Sequence, residues 1–98
     1  MKDTMLYTLE QDKISKYAKA MAHPARVFIL NYLLENESCY AGDIVAKLPM
    51  AQSSASQHLR ELKIAGLIKG KNELPKIKYS IEIENWKEAS KLFGGFFN

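Results

Sequence analysis

The sequence contains a single cysteine and no long apolar run. One cysteine, Cys39, excludes an internal disulfide and agrees with a reducing compartment. A helix that crosses a membrane needs about 18 or more consecutive apolar residues, and no such run exists. Residues 1–10 also lack the apolar stretch of a secretion signal. We therefore expect a cytoplasmic protein that does not enter a membrane.

The motifs of common catalytic sites are also absent. The chain has no glycine-rich phosphate loop, no paired metal ligands at a recognised spacing and no nucleophile motif. Cys39, His58 and Asp43 have the side chains of a cysteine, histidine and aspartate catalytic set, but their spacing in the sequence does not support such a site. We therefore expect neither an enzyme nor a bound cofactor.

The chain is short and shows no repeat, linker or low-complexity tract. Its 98 residues fit one domain, 1–98, in which residues 1–9 are expected to form a loose lead-in, with an extension of the first helix to Leu6 and Leu9 as the alternative. A chain of this length buries a limited fraction of its surface, so dimerisation is a natural way to enlarge the core.

Apolar periodicity predicts a mainly α protein with about five helices. Ile14, Tyr17 and Met21 recur at helical spacing and define one face of the first helix. Pro24 begins a mostly apolar second helix, because proline is well tolerated at the first helical position. The helices are expected at residues 10–22, 24–35, 40–48, 52–64 and 85–93 or beyond.

Two strand candidates follow the fourth helix. Residues 67–71 form the first candidate, and residues 76–82 form the second. In the second, polar residues (Lys76, Lys78 and Ser80) alternate with apolar ones (Ile77, Tyr79 and Ile81). Residues 72–75 between them predict a hairpin loop. Two short helices joined by a turn and followed by a two-stranded hairpin form a winged helix-turn-helix.

The fourth helix is rich in glutamine and serine, which contribute little to a hydrophobic core and can form hydrogen bonds with a partner outside the protein. Glutamine and serine suit base edges and phosphate oxygens, whereas arginine and lysine suit the charged backbone. Between Gln52 and Tyr79 the chain has six Lys and Arg against two Glu, and Lys69 is among the basic residues of the hairpin. The candidate DNA contacts are Gln52, Ser53, Ser54, Ser56, Gln57, Arg60, Lys63, Lys71, Lys76 and Lys78. The alternatives are a solvated helix surface and lysines that merely protect a sheet edge.

Four stretches carry a resemblance to a known family. They are MAHPARVFIL (21–30), DIVAKL (43–48), AQSSASQHLRELKIAGLI (51–68) and KYSI (78–81). Over nearly the whole chain the sequence resembles the ArsR-type winged helix-turn-helix repressors of bacteria. The resemblance implies a homodimeric, sequence-specific DNA-binding repressor that inserts helix 52–64 into the major groove of a palindromic operator. The alternative is a winged-helix protein-interaction module without specific DNA binding.

Two positions depart from the family pattern. Ala51 stands where many members cap the recognition helix with serine or asparagine, and Ser53 is expected to take over the cap. Gln57 and His58 stand where many members have two histidines, which affects the expected base preference and not the binding geometry.

The resemblance also implies that the first and last helices pair two subunits. Asn85, with Glu88 three residues later, is expected to cap the last helix, and Gly94-Gly95 to end or bend it. The expected interface residues are Ile14, Tyr17, Met21, Trp86, Ala89, Phe93, Phe96 and Phe97.

The metal ligands of the family are not present. Cysteines of one family site fall at Tyr40 and Gly42, neither of which supplies a thiolate, and Cys39 stands alone beside them. Residues 84–98 contain no histidine for the other site. No metal site is therefore expected, and the sequence does not indicate an inducer.

Three further residues have structural and functional interpretations. Cys39 is expected to be a small buried residue, with a redox-sensing thiol as the alternative. His23 is expected to cap or pack at a helix start, and His58 to pack or contact a phosphate.

Overall fold

The computed structural model describes residues 6–98 as five helices and a three-stranded antiparallel sheet. The winged helix-turn-helix predicted from the sequence is confirmed. In chain order the elements are α1 (Leu9–Ala20), α2 (Pro24–Glu35), β1 (Ser38–Tyr40), α3 (Ala41–Ala46), α4 (Gln52–Ile64), β2 (Ile68–Glu73), β3 (Lys76–Ile81) and α5 (Ile83–Phe97).

A capping box fixes the start of α1. The Thr8 hydroxyl accepts a hydrogen bond from the Gln11 amide at 3.0 Å, and the Thr8 amide donates to Gln11 Oε1 at 2.9 Å. The prediction of a loose lead-in up to residue 9 is therefore wrong at Thr8 and Leu9. Its first five residues lie outside the described part of the chain.

The segment from the end of α1 to α3 keeps the predicted order of helices but differs in their bounds. Helix α1 ends at Ala20 and not at residue 22, and α3 ends at Ala46 and not at residue 48. His23 caps α2 as expected, because its side chain accepts a hydrogen bond from the Ala25 amide at 3.0 Å. The third helix, expected from Tyr40, instead begins at Ala41, because Ser38–Tyr40 forms strand β1. A strand of three residues is too short to show alternation in the sequence.

The sheet has the strand order β1-β3-β2. Cys39 lies opposite Tyr79 on β3, and Tyr79 lies opposite Gly70 on β2. The predicted two-stranded wing is therefore part of a three-stranded sheet, in which β1 joins the wing to the helix-turn-helix.

Helix α4 has the predicted bounds, and a glycine ends it. Gly66 has φ +86°, in the left-handed region that favours glycine. A Cβ atom there would lie 2.8 Å from Asn85 Nδ2. At the other end of α4, Ala51 is the N-cap and provides no side-chain hydrogen bond, so the expected cap by Ser53 is wrong.

Helix α5 begins two residues earlier than predicted and ends at Phe97, within the expectation of 85–93 or beyond. Its N-cap is Glu82, and Asn85 lies within the first turn, where its Nδ2 donates to the Gly66 carbonyl at 2.8 Å. Gly94-Gly95 lies within the helix, which continues to Phe97. The side chain of Asn85 thereby fastens the start of α5 to the end of α4.

Candidate nucleic-acid interface

Helix α4 presents a polar outer face because its apolar residues share the opposite face. Ala55, Leu59 and Leu62 recur at helical spacing, and all three are buried in the core. All seven candidate contacts on this helix are exposed: Gln52, Ser53, Ser54, Ser56, Gln57, Arg60 and Lys63. The core thus orients α4 so that hydrogen-bonding and cationic side chains face solvent.

The first turn of α4 has no side-chain cap and no acidic residue. The first amide groups of a helix have no partner within it, and the helix dipole places partial positive charge there. A helix start of this kind suits an incoming phosphate. Ala51 departs from the family pattern because its side chain cannot cap the helix. The first amide groups of α4 are therefore open to a phosphate.

Gln57 is held in place by its own helix. Its Nε2 donates a hydrogen bond of 2.9 Å to Glu61 Oε2, one turn further along. This bond occupies one amide donor and leaves the Gln57 oxygen for an external donor. Glu61 also lowers the local positive charge between Arg60 and Lys63.

The sheet register collects the wing lysines on one face. Lys69 lies opposite Ser80, and Lys71 lies opposite Lys78. Residues opposite each other or two apart in a strand share a face, so these side chains stand together and point away from the core. The other face of the sheet carries the buried residues Cys39, Ile68, Tyr79 and Ile81.

Tyr40 lies among these lysines and was not recognised from the sequence as part of the site. Lys76 Nζ and Lys78 Nζ lie 4.8 and 4.9 Å from the centre of its ring. Its hydroxyl donates to Glu73 Oε1 at 2.8 Å. Tyr40 is 33 residues from Glu73, so no local pattern in the sequence relates the two.

Glu73 partly neutralises the wing. Its other oxygen lies 3.7 Å from Lys78 Nζ. The Tyr40 hydrogen bond first, and the nearby lysines next, hold the pKa of Glu73 below its usual range. Lys78 is thus half-buried and paired, whereas Lys71 and Lys76 are exposed.

His58 of α4 forms a cluster with His23 and Arg26, which lie at the start of α2. Arg26 Nε donates to His58 Nδ1 at 3.0 Å, and the His58 ring centre is 4.3 Å from that of His23. Burial first, then His23 and Arg26, lower the pKa of His58. His58 therefore accepts a hydrogen bond as a neutral ring, and its predicted packing role fits this position.

The expected dimer residues fall into three groups by their exposure to solvent. Tyr17 and Ala89 are buried within the single chain, at 1% and 4% exposure, so they leave no surface for a partner to cover. That part of the expectation is corrected. Ile14, Met21, Trp86 and Phe93 are half-buried, whereas Phe96 and Phe97 are 68% and 78% exposed.

Tyr17 and Glu88 instead join α1 to α5 inside the chain. The Tyr17 hydroxyl donates to Glu88 Oε1 at 2.7 Å, and Lys13 Nζ lies 2.6 Å from Glu88 Oε2. Burial first, and the Glu88 carboxylate next, raise the pKa of Tyr17 to about 12. The two outer helices are thereby fixed to each other.

The donor set does not fit a metal. Across residues 6–98, no three His, Cys, Asp or Glu side chains come together as ligands of a metal ion would. Cys39 is buried in β1, and burial first, with Asp43 next, raises the pKa of its thiol. A raised pKa disfavours the thiolate that metal binding and redox chemistry need.

Comparison with known proteins gives a consistent result. The family model "Bacterial regulatory protein, arsR family" matches residues 23–69. An uncharacterised HTH-type transcriptional regulator of Methanocaldococcus jannaschii is 36% identical over 81 residues, which are 83% of this chain and 91% of that protein. The transcriptional activator HlyU of Vibrio cholerae is 38% identical over 74 residues, which are 76% of this chain and 68% of that protein.

A solved structure of HlyU from Vibrio cholerae superposes with a TM-score of 0.73 at 28% identity, and the match covers 94% of this chain and all of that one. Within residues 6–98, no helix is both long and apolar enough to cross a membrane. Transcriptional regulators of this type are not enzymes. The chain therefore belongs to the ArsR family and is a DNA-binding transcriptional regulator of the winged helix-turn-helix type.

Proposed function

We propose that the protein is a homodimeric repressor that binds a palindromic operator in the cytoplasm, with one α4 helix in each of two major-groove segments. One observation carries the proposal. The open, carboxylate-free start of α4 and the lysine-bearing face of the sheet are both exposed. Strand β1 links the two parts by pairing with β3 directly before α3.

On α4 the proposed roles follow from side-chain chemistry. Gln52, Ser53, Ser56 and Gln57 read base edges, since amide and hydroxyl groups both donate and accept hydrogen bonds. Ser54 contacts a phosphate at the open helix start. Arg60 and Lys63 contact the DNA backbone further along the groove.

On the wing, lysines contact phosphates and do not read sequence. Lys71 and Lys76 are exposed, and Lys76 would leave the ring of Tyr40 to reach the DNA backbone. Lys78 is partly engaged by Glu73, and Lys69 extends the same positive face. Each phosphate that a lysine neutralises releases a counterion, so the affinity depends on salt.

The proposed dimer surface lies at the ends of α1 and α5. Phe96 and Phe97 are exposed, and their rings contact each other with centres 5.6 Å apart. Leu9 at the start of α1 is 70% exposed and Ile83 at the start of α5 is 49% exposed. Burial of such side chains is worth about 1.5–3 kcal/mol each, which favours association of two subunits.

A dimer with twofold symmetry places its two α4 helices on half-sites about one helical turn apart, or a small multiple of it. Occupation of such an operator represses transcription by excluding the polymerase. The relative from Vibrio cholerae is named a transcriptional activator, so activation is the second candidate direction.

The proposal is tested by selecting random duplex DNA with the purified protein at physiological salt and sequencing the bound fraction. We expect an enriched palindrome, and a complex of two subunits per duplex by sedimentation. A reporter with this operator placed over a promoter then separates repression from activation. Weak binding with strong salt dependence and no enriched sequence would reject the proposal in favour of a protein-interaction module.

A further inference from the structure

A cleft behind the recognition helix has a composition that DNA reading does not explain. It has a volume of about 530 Å³ and opens between the end of α1, the start of α2 and the end of α4. Its lining consists of Lys16, Lys19, Ala20, Ala22, His23, Arg26, Glu61, Ile64 and Ala65. The volume falls within the range of about 300–1,000 Å³ that small-molecule sites occupy.

The charges on the cleft favour an anion. Lys16, Lys19 and Arg26 contribute three cationic groups, whereas Glu61 contributes one carboxylate on the α4 wall. Lys16 and Lys19 lie about one helical turn apart, on the same side of α1. Lys16 Nζ lies 4.8 Å from the centre of the Tyr17 ring. Together with Lys19 and Arg26 it gives the lining of the cleft three cationic side chains, which match the charge of a carboxylate, phosphate or sulfonate.

Arg26 is held in position to bind such a group. Its Nε donates to His58 Nδ1 at 3.0 Å, and its Nη1 donates to the Ala20 carbonyl at 3.3 Å. These are two of its five N–H donors. Within residues 6–98 the remaining donors have no protein acceptor, so the guanidinium is oriented and still able to bind a ligand.

The remaining lining consists of His23 and four apolar residues, Ala20, Ala22, Ile64 and Ala65. Ala20 and Ala65 are buried at the base of the cleft, whereas Ile64 is 71% exposed at its edge. An isoleucine so exposed beside a cationic group suits a ligand that has both an apolar body and a charged end. A simple inorganic ion would leave this apolar wall in water.

The cleft is connected to the DNA-reading surface. Glu61 lines the cleft and accepts the hydrogen bond from Gln57, which is a proposed base-reading residue. Arg26 also bonds His58, the residue next to Gln57. A negative charge in the cleft repels the Glu61 carboxylate and adds charge of the same sign as DNA phosphate behind α4.

We propose that the cleft between α1, α2 and α4 binds a small amphipathic anion, and that this ligand lowers the affinity of the protein for its operator. The inference extends the proposed function, because the ligand would be the signal that releases the DNA. Lys16, Lys19 and Arg26 bind the charged group, and Ile64 covers the apolar part.

The test uses anilinonaphthalene sulfonate, a fluorescent anion with an apolar body, as the probe. We expect it to shift the amide NMR signals of Lys16, Lys19, Arg26 and Ile64 in the full chain. Lys16→Gln with Lys19→Gln should weaken probe binding at least about tenfold. Lys87→Gln with Lys91→Gln removes the same charge from exposed positions of α5 and should leave binding unchanged. Equal binding by both double variants, or signal shifts elsewhere, would overturn the proposal.

The operator selected above gives the second readout. The probe should weaken operator binding about tenfold for the wild type and for the α5 control, a coupling of ordinary size. It should have no effect on the α1 double variant. Without the probe, the α1 double variant should bind the operator as the wild type does. If its affinity and salt dependence fall together, the lysines contact the DNA backbone and the small-molecule site is wrong.

The two proposals fail separately. Probe binding is measured by NMR without DNA, so a cleft that binds the probe stands even if no operator is found. An operator that is bound equally tightly with and without a bound probe would leave the repressor proposal intact and would overturn the regulatory role of the cleft.

Discussion

The Tyr40 hydroxyl donates a hydrogen bond of 2.8 Å to Glu73 Oε1, and this bond joins β1 to the tip of the wing. It also keeps a carboxylate in place between lysines that we propose to contact DNA. This bond, as the largest cause, holds the pKa of Glu73 below its usual range, and the carboxylate is ionised at neutral pH with or without that shift. The wing therefore carries less positive charge than its lysine content suggests.

Replacement of Glu73 by Gln should strengthen DNA binding to all sequences several-fold. The amide still accepts the Tyr40 hydrogen bond, but Lys78 loses its ionic partner and becomes available to a phosphate. The slope of log K against log salt should become steeper by about one unit. Fluorescence anisotropy over a salt series measures both quantities. Glu84→Gln, an exposed change at the start of α5, is the control that should alter neither.

Gln57→Ala and Lys76→Ala should affect DNA binding in different ways. Removal of the Gln57 amide should lower discrimination at one base pair by about 1–3 kcal/mol, because that contact is a base contact. Removal of the Lys76 ammonium should weaken binding to all sequences and reduce the salt slope by about one unit. Competition binding with operator variants, repeated at several salt concentrations, separates the two effects. An unchanged salt slope for Lys76→Ala would disprove its phosphate contact.

The double change Phe96→Ser and Phe97→Ser should dissociate the proposed dimer. Each subunit would lose two exposed aromatic side chains, each worth about 1.5–3 kcal/mol when buried. We expect the dimer dissociation constant to rise at least about 100-fold, as measured by sedimentation equilibrium. Leu74→Ser alters a side chain that is 88% exposed at the tip of the wing and serves as the control. A dimer that survives the double change would place the interface elsewhere.

Gly66→Ala and Gly42→Ala should change stability in opposite directions. At Gly66 the backbone is left-handed and a Cβ would meet Asn85 at 2.8 Å, so we expect a loss of about 1–3 kcal/mol. At Gly42, in helix α3, a Cβ would meet no atom within 4 Å among residues 6–98 apart from its chain neighbours and the backbone of its own helix. Alanine there should stabilise the protein by about 0.4–1 kcal/mol. Urea denaturation gives both values, and destabilisation at both sites to the same extent would contradict this account.

The stability of the protein should fall above about pH 10 because of Tyr17. A tyrosine in the unfolded chain loses its proton near pH 10. The folded chain holds that proton until about pH 12. Between these values deprotonation favours the unfolded state, so the stabilising contribution is complete below pH 10 and is lost as the pH rises to about 12.

Tyr17→Phe should make the protein less stable at pH 8, because Glu88 loses a hydrogen bond, and should reduce the further loss between about pH 10 and 12. Denaturation with urea across this range tests the prediction, with Tyr7→Phe, an exposed position, as the control. A parallel fall in wild type and Tyr17→Phe would show that other groups cause the alkaline loss.

The sequence predicted the range of α4 well because two signals agree there. Ala55, Leu59 and Leu62 give a clear helical period, and Gly66 ends the helix with a backbone that other residues avoid. The start of α5 was mispredicted for the opposite reason. Asn85 has the character of a cap, but the helix begins two residues before it, at Ile83, and its Nδ2 donates to the Gly66 carbonyl, 19 residues away. A capping residue thus indicated a helix start nearby without giving its position.

The sequence predicted which residues belong to the candidate site better than it predicted how they are arranged in space. The lysines of the wing are visible in the sequence, but their common face depends on the pairing of β2 with β3 and on the presence of β1. Tyr17 and Ala89 fit the apolar stripe of an interface equally well, and only packing shows that the chain buries them itself. Spacing therefore identifies an apolar face but not the surface that covers it.

Strand β1 is only three residues long, yet it limits how this protein can be regulated. Its pairing with β3 makes the reading helix and the wing parts of one rigid block. An internal rearrangement of that block would break backbone hydrogen bonds of the sheet. In a dimer joined through α1 and α5, the easier adjustment is to tilt or separate two such blocks as whole bodies. Operator affinity would then depend on the match between the distance separating the blocks and the fixed repeat of the DNA.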